Sequence, residues 1–299
     1  MKINLFTLVI VILLSLATQP IFGQTLSSDN NTPKRNSPYS RIALGDPALQ
    51  NYIASISMGG MGATFSDPYQ VNLINPASIG FLKATTFEIG AFGRAANLQA
   101  DNLDLDTYAG NFSYMSIGFP MKNPVNIELD RRPPLVDWRM NFALTPYSDV
   151  GYNIESRTAI PGQDSLLTSF TGKGGTYKVG WTNSFEYKDL AVGLDIGYFF
   201  GNIINERSAF FDNLDNAYIT NLVDEKHLSG FVFKLGAIYK HKFGIVDDKA
   251  TKVLTVGAYG SNNANINTTS REFYRRLSST FSALDPNSLD TIRNTNDVR

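Results

Sequence analysis

Apolar and polar residues alternate at every second position along seven stretches of this chain. The clearest stretch sets Trp138, Met140 and Phe142 against Arg139 and Asn141. Because successive side chains of a strand point to opposite faces, one face becomes apolar and aromatic while the other is polar. An aromatic-rich face on strands of this length is typical of a transmembrane antiparallel β-barrel, so an all-β fold is predicted. A soluble β-sandwich would explain the alternation, but not the strand length or the segment that precedes the strands.

The alternation predicts seven strands, near residues 84–98, 107–121, 136–155, 175–188, 190–205, 228–243 and 252–268. The connections between them differ in length, since Asp189 alone separates two strands whereas residues 206–227 form a long link. Outer-membrane barrels have short periplasmic turns and long extracellular loops. We therefore expect Asp189 on the periplasmic side, and residues 99–106, 156–174 and 206–227 outside the cell.

Residues 1–23 have the layout of a secretory signal peptide, with basic Lys2, an apolar run and a small residue, Gly23, at the end. The apolar run is about 12 residues long, shorter than the roughly 20 that a spanning helix needs. We therefore expect export across the inner membrane and cleavage after Gly23. No later stretch resembles a transmembrane helix, so the chain is expected to cross the bacterial outer membrane with strands.

Three further regions follow the signal peptide. Residues 24–36 are polar and are predicted to form a flexible linker, whereas residues 37–83 mix glycine, proline and short apolar clusters and are predicted to form a compact segment. Residues 84–299 carry the barrel strands. Single-chain bacterial barrels have even strand numbers, and an open sheet would expose polar edges to lipid. Seven strands ending at Arg299 therefore predict a barrel that is incomplete at its C-terminus.

The composition argues against several classes of function. The formal net charge is -1 and basic residues form no stripe, so nucleic acid is not an expected partner. Cysteine is absent, which excludes disulfides, thiolate catalysis and a lipoprotein anchor. The two histidines, His227 and His241, fall at opposite ends of one predicted strand, which argues against a metal site or a catalytic triad. We expect no enzyme activity, no cofactor and no metal.

Several short motifs, together with the order of signal peptide, glycine-rich segment, Asn-Pro-Ala and alternating strands, are similar to those of a known family. These are Met58-Gly59-Gly60-Met61-Gly62-Ala63-Thr64, Asp67-Pro68, Asn75-Pro76-Ala77-Ser78, Ser37-Pro38-Tyr39-Ser40-Arg41 and Leu144-Thr145-Pro146-Tyr147-Ser148. Together with the alternating strands, they resemble the long-chain fatty acid transporter family (FadL/TodX type), and in particular its divergent members from Bacteroidetes. The resemblance covers about residues 37–205.

The resemblance implies a fourteen-stranded barrel whose lumen is plugged by an N-terminal hatch, of which seven strands would be half. It implies passive uptake of long-chain fatty acids or other hydrophobic small molecules, with outer-membrane lipid and the hydrophobic ligand as partners. It assigns a hatch or gating role to Asn75, Pro76 and Ala77. Proline fixes one backbone torsion and disfavours helix for Asn75, which suits an ordered constriction.

Two short amphipathic helices are predicted in external connections, within residues 206–227 and 269–285, because apolar residues recur there at three- and four-residue steps. In the transporter family such loops form an apolar groove that captures ligand. The resemblance therefore assigns ligand capture to Phe210, Phe211, Leu214, Tyr218, Leu222, Phe273, Leu277 and Phe281. The same surfaces could instead cap the barrel mouth or dock a partner protein.

Two other functions remain open at this point. The first is a secretion-system accessory or protein-docking barrel, since a porin-like accessory of the type IX secretion system belongs to the same superfamily and would have secretion-system proteins as partners. The second is an outer-membrane lipase or deacylase, which the absence of a catalytic constellation disfavours. The sequence does not identify the ligand.

Overall fold

The computed structural model describes residues 37–48, 52–100, 103–122, 135–160, 165–211, 218–246, 249–262, 266–278 and 289–298. The predicted signal peptide and linker lie outside these residues, as do Leu214 and Phe281. Within the described ranges, no helix is long and apolar enough to cross a membrane.

Antiparallel strands dominate the described residues and form one curled, half-barrel sheet. The strands are β1 (Asp46–Pro47), β2 (Thr86–Ala100), β3 (Leu103–Pro120), β4 (Asp137–Thr158), β5 (Leu166–Tyr187), β6 (Leu190–Phe211), β7 (Tyr218–Val246), β8 (Lys249–Ser261), β9 (Asn267–Ser278) and β10 (Leu289–Val298). Two 3₁₀ helices, Pro38–Arg41 and Pro76–Phe81, and the short helix α1 (Ile53–Ser57) precede the long strands. The sheet runs in the order β2, β3, β4, β5, β6, β7, β9, β10, with β1 pairing with β4 and β8 with β7.

The predicted strands correspond to β2 through β8, and the all-β prediction is confirmed. The count of seven was wrong, because β9 and β10 follow among the described residues. β8 pairs with the later part of β7 and β9 with its earlier part, where Ser261 faces Lys234 and Asn267 faces Ser229. The two strands therefore occupy the place of one interrupted strand in the curled sheet, which we call the wall. The fourteen-stranded barrel remains a prediction.

The two amphipathic helices predicted within residues 206–227 and 269–285 were wrong. β6 and β7 continue their ladder as far as Ala209 opposite Thr220, and β9 pairs with β7. The ladder supplies backbone hydrogen bonds from a neighbouring strand, and it outweighs a local helical spacing of apolar residues. β-branched residues such as Ile219 also favour the extended conformation.

The two faces of the sheet have a polarity opposite to that of a soluble sheet protein. On the convex face, large apolar side chains are exposed, with Phe231 at 59% and Leu235 at 61%. On the concave face, polar side chains such as Asn141, Thr176 and Ser184 are fully buried. A wall with apolar residues outside and polar residues inside is the arrangement that membrane strands adopt. The polarity disfavours the soluble sandwich.

A register shift divides β4 into two halves. β3 pairs with β4 only up to Met115 opposite Leu144, and the pairing of β4 with β5 shifts by one residue between Pro146 and Ser148. Proline has no N–H to donate to a ladder, so it favours an irregular position of this kind. Beyond the shift, β4 pairs instead with β1, where Asp46 faces Asp149. The N-terminal residues thus take the place beside β4 that β3 leaves.

The predicted tight turn at Asp189 is confirmed, since Tyr187 and Leu190 pair directly and Lys188 adopts a positive φ of 56°. The links expected to be long are shorter than predicted, because the strands extend into them. Only two residues separate β2 from β3, and six separate β6 from β7. Loop length therefore no longer supports the predicted orientation in the membrane, with Asp189 on the periplasmic side. That orientation remains a prediction.

Candidate functional site on the concave face

The concave face of the sheet is covered by the inner segment, which we define as residues 52–82. Its 3₁₀ helix, Pro76–Phe81, packs against β4, β5, β6 and β7. Ala77 and Phe81 form a buried apolar cluster there with Ala191 of β6 and Ile238 of β7. The predicted hatch region thus lies inside the curl of the sheet, although its role as a hatch remains a prediction.

The side chain of Asn75 makes hydrogen bonds within the inner segment and also lies close to carbonyl oxygens of the wall. Its Nδ2 donates to the carbonyl oxygen of Ala63 at 2.7 Å, and its Oδ1 accepts from the N–H of Ala77 at 3.0 Å. Nδ2 also lies 3.4 Å from the carbonyl oxygens of Ala237 on β7 and Ala258 on β8. The cap at Ala77 satisfies a donor at the start of the 3₁₀ helix, so a single side chain orients the helix against two strands.

Asn72 and Ser78 extend this network. The Nδ2 of Asn72 donates to the carbonyl oxygens of Gly62 at 2.7 Å and Phe65 at 2.8 Å. The Oγ of Ser78 donates to the carbonyl oxygen of Asn75 at 2.7 Å. Asn72, Asn75 and Ser78 are all buried, and buried backbone groups need partners because leaving them unpaired is costly. The network supplies such partners for irregular backbone that has no ladder of its own.

Three glycines of the wall allow the inner segment to approach closely. A Cβ at Gly236 of β7 would lie 2.9 Å from Pro76 Cδ and closer still to Asn75 Oδ1. A Cβ at Gly193 of β6 would lie 2.5 Å from the backbone nitrogen of Ala77, and Gly257 of β8 is similarly close to backbone of the inner segment. Glycine within a strand often marks a close approach of another backbone. The sequence analysis missed these positions, although all three lie at inward-facing positions of their strands.

Charged side chains hold the end of the inner segment. The Nε of Arg139 donates to the carbonyl oxygen of Leu82 at 2.6 Å, and its Nη1 pairs with Glu186 at 2.8 Å. The ammonium group of Lys240 lies 3.6 Å from the centre of the Phe81 ring, a distance suited to a cation–π interaction. A guanidinium with both a carbonyl and a carboxylate partner is a geometrically specific anchor.

Tyr52 marks the other end of the inner segment and is almost fully buried. Burial, followed by the nearby carboxylates of Asp67 and Glu88, raises the pKa of Tyr52 to about 12. This phenol stays neutral at any physiological pH. In the described part of the chain, His, Asp and Glu form no group able to hold a metal ion.

The predicted hatch residues Asn75, Pro76 and Ala77 are consecutive and are buried against the wall. The predicted capture residues that the structure describes lie on both faces of the sheet. Phe210 and Phe211 are consecutive on β6 and face opposite sides of the sheet. Leu222 pairs with Tyr274, so neighbouring Phe273 faces the side opposite to Leu222.

The remaining described capture residues also lie in strands, with Tyr218 at the start of β7 and Leu277 near the end of β9. A ligand-capture role for the eight assigned residues has no test in the structure and stays a prediction.

The fold and site define a curled antiparallel sheet with an apolar convex face and a filled concave face that carries buried polar side chains beside small apolar clusters. A family model described as BamG matches residues 7–297, and the chain therefore belongs to the BamG family. The resemblance to the FadL/TodX transporters was wrong, because no model of that family matches. Neither a search of curated proteins nor a search of solved structures found a match.

The structure gives a physical reason for the misleading motifs. Glycines before an Asn-Pro-Ala sequence suit irregular backbone, since Gly59 and Gly60 adopt positive φ and a Cβ at Gly62 would overlap the Ile74 side chain. Asn75 supplies hydrogen bonds to the same backbone. Such needs follow from the architecture, and they do not identify a family or a cargo. The predicted main function, uptake of fatty acids, was accordingly wrong, since the matching family is related to the BAM complex.

Proposed function

We propose that this chain is an outer-membrane protein of the β-barrel assembly machinery (BAM), where it acts through contacts with other proteins. The observation that carries this proposal is the match to the BamG family over residues 7–297, since this family is related to the BAM complex. The role is non-enzymatic in this proposal. It is closer to the docking alternative than to transport.

The packing of the concave face supports a docking role over a conduit. The inner segment is held by the buried Asn72 and Asn75, by Arg139 at its end and by close contact with glycines of three strands. Opening a passage along this face would break these buried hydrogen bonds together. A segment held in this way suits a fixed element that shapes the wall, and it leaves the strand ends for partners.

The convex face supports placement in the outer membrane. Its exposed aromatic side chains form stacked pairs, such as Phe142 with Trp181 and Trp138 with Phe185. Exposed apolar surface on adjacent strands is costly in water and favourable in lipid. Delivery by the N-terminal signal peptide and contact with outer-membrane lipid belong to this proposal.

The proposal is tested by removing the protein from its native bacterium and following other outer-membrane barrels. We expect reference barrels to lose the folded, heat-modifiable form and to decrease in the outer membrane, and expression of the wild-type protein to restore both. Uptake of a long-chain fatty acid and release of secreted proteins are measured in the same cells. Normal barrel folding with a defect in uptake or secretion alone would refute the assembly role.

A further inference from the structure

A cavity of about 280 Å³ lies on the concave face beside the inner segment. Two ammonium side chains, Lys178 and Lys234, line it together with the hydroxyl-bearing Tyr147, Tyr259 and Ser261. No carboxylate is among the lining side chains in the described part of the chain. Apolar side chains of Leu73, Ile74 and Val232 complete the lining, so the polar groups offered to a ligand are two positive charges and neutral hydroxyls.

One of the two cations already has a partner. Lys178 Nζ lies 2.8 Å from Asp195 Oδ2, and Thr182 Oγ1 donates to the other oxygen of the same carboxylate at 3.0 Å. A Cβ at Gly197 would lie 2.8 Å from Lys178 Cδ, and one at Gly180 would lie 2.8 Å from Asp195 Oδ1. Because these two glycines have no side chain, the wall has room for the ion pair.

Among the described residues, the second cation has no carboxylate of its own. Lys234 faces Asp195 directly across the β6–β7 ladder, but the oxygens of Asp195 are engaged by Lys178 and Thr182. The hydrogen bond of Lys234 Nζ to the carbonyl oxygen of Leu73 is long, at 3.4 Å. A partly buried ammonium group gains from an anionic partner, because burial removes some of its hydration. Two cations and one carboxylate leave the site with one positive charge in excess.

We propose that this cavity binds a small oxyanion, either a phosphate or a carboxylate group, between Lys234 and Lys178. Each ammonium group has donors left for such a group, and Ser261 lies directly across the ladder from Lys234. The site is independent of the proposed role in barrel assembly. The oxyanion arrives as a free ion or as part of a larger molecule such as a phospholipid headgroup.

The proposal is tested on the full chain, purified in a neutral detergent, by thermal unfolding at increasing inorganic phosphate or acetate. Ionic strength is held constant with sodium chloride. We expect a saturable rise in Tm for the wild type and roughly tenfold weaker phosphate binding for Lys234→Gln, since one charged hydrogen bond is lost. Lys234→Arg keeps the charge and should retain binding. Lys242→Gln is the matched control, because Lys242 is half exposed and pairs with Asp189 at the hairpin turn.

Native mass spectrometry then distinguishes the two sources by the mass of the bound species, a free ion or a phospholipid. Should Lys234→Gln fail to fold, Ser261→Ala supplies the comparison, because it removes a lining hydroxyl without removing a charge, and it should weaken phosphate binding. The proposal is overturned if no anion raises the Tm of the wild type. It is also overturned if Lys234→Gln and Ser261→Ala respond to phosphate like Lys242→Gln.

Discussion

Replacing Gly236 by alanine should disrupt the seating of the inner segment. The new methyl carbon would lie 2.9 Å from Pro76 Cδ and would overlap Asn75 Oδ1. Asn75 cannot move aside freely, since it is fully buried and its side chain makes hydrogen bonds at both ends. Either the Asn75 side chain gives up its partners or the whole inner segment shifts away from β7.

The cost follows from the groups that lose their partners. Displacing Asn75 removes the partner of the buried N–H of Ala77 and of the half-buried carbonyl oxygen of Ala63. Each such group costs about 1–3 kcal/mol, so the free energy of unfolding should fall by about 2–6 kcal/mol. A shift of the whole segment costs a similar amount, because overpacking typically costs about 1–3 kcal/mol and the neighbouring contacts also loosen.

Gly260→Ala is the matched control. Gly260 lies on β8, and a Cβ there would meet nothing within 4 Å. Its effect on the free energy of unfolding should stay within about 0.5 kcal/mol.

The assay is urea unfolding of the full chain refolded in lipid vesicles, with limited proteolysis of the inner segment as a second reading. Equal stability and equal protease resistance of Gly236→Ala and Gly260→Ala would refute the proposed close packing.

Three further predictions rest on other contacts. Arg139→Gln should make the end of the inner segment more sensitive to protease, because it removes the charged donor to Leu82 and the ion pair with Glu186; unchanged proteolysis would contradict the anchoring role. Trp181→Arg should cost about 2–4 kcal/mol if the convex face meets lipid, and should lower the folded fraction recovered from membranes; normal recovery would argue against lipid contact. Tyr52→Phe should leave stability unchanged or raise it, because the Tyr52 hydroxyl finds no hydrogen-bond partner in the described structure. With its folded pKa near 12 and its ordinary value at 10.0, Tyr52 should make the wild type lose stability as pH rises above 10, and a pH series of unfolding curves should show a smaller loss for the Tyr52→Phe variant.

The positions of the long strands could be predicted because alternation is a local property of the sequence. Trp138, Phe142 and Trp181 alternate with polar residues in the printed sequence, and the structure exposes these aromatic side chains on the convex face. The tight turn at Asp189 was predictable for the same reason, since two alternating runs meet there. The helices predicted around Phe211 and Phe273 failed because a spacing of three or four residues does not show whether a neighbouring strand is present.

The candidate site was only partly predictable. Asn75 and Pro76 stand out in the sequence, because an Asn-Pro pair restricts the backbone and asparagine can cap the turn that follows. The glycines that face them are far away along the chain, and a single glycine in a strand gives no sign of which backbone approaches it. Only the strand register, which pairs Gly193 with Gly236, shows that these two glycines lie side by side and together leave space for the inner segment.

The excess positive charge beside the inner segment was likewise invisible in the sequence. Lys178, Asp195 and Lys234 belong to three different strands and meet only through the pairing of β5, β6 and β7. The family was also beyond single-sequence reasoning, since the motifs around Asn75 reflect the demands of packing against a wall.

The association with the assembly machinery is tested most directly by isolating the tagged full chain from outer membranes in mild detergent. The amount of the central BAM barrel recovered with it is measured by quantitative mass spectrometry, relative to an abundant unrelated outer-membrane barrel. We predict strong enrichment of the BAM barrel, which should persist in the Gly260→Ala variant. Recovery of the BAM barrel at no more than the level of the unrelated barrel would contradict the proposed function.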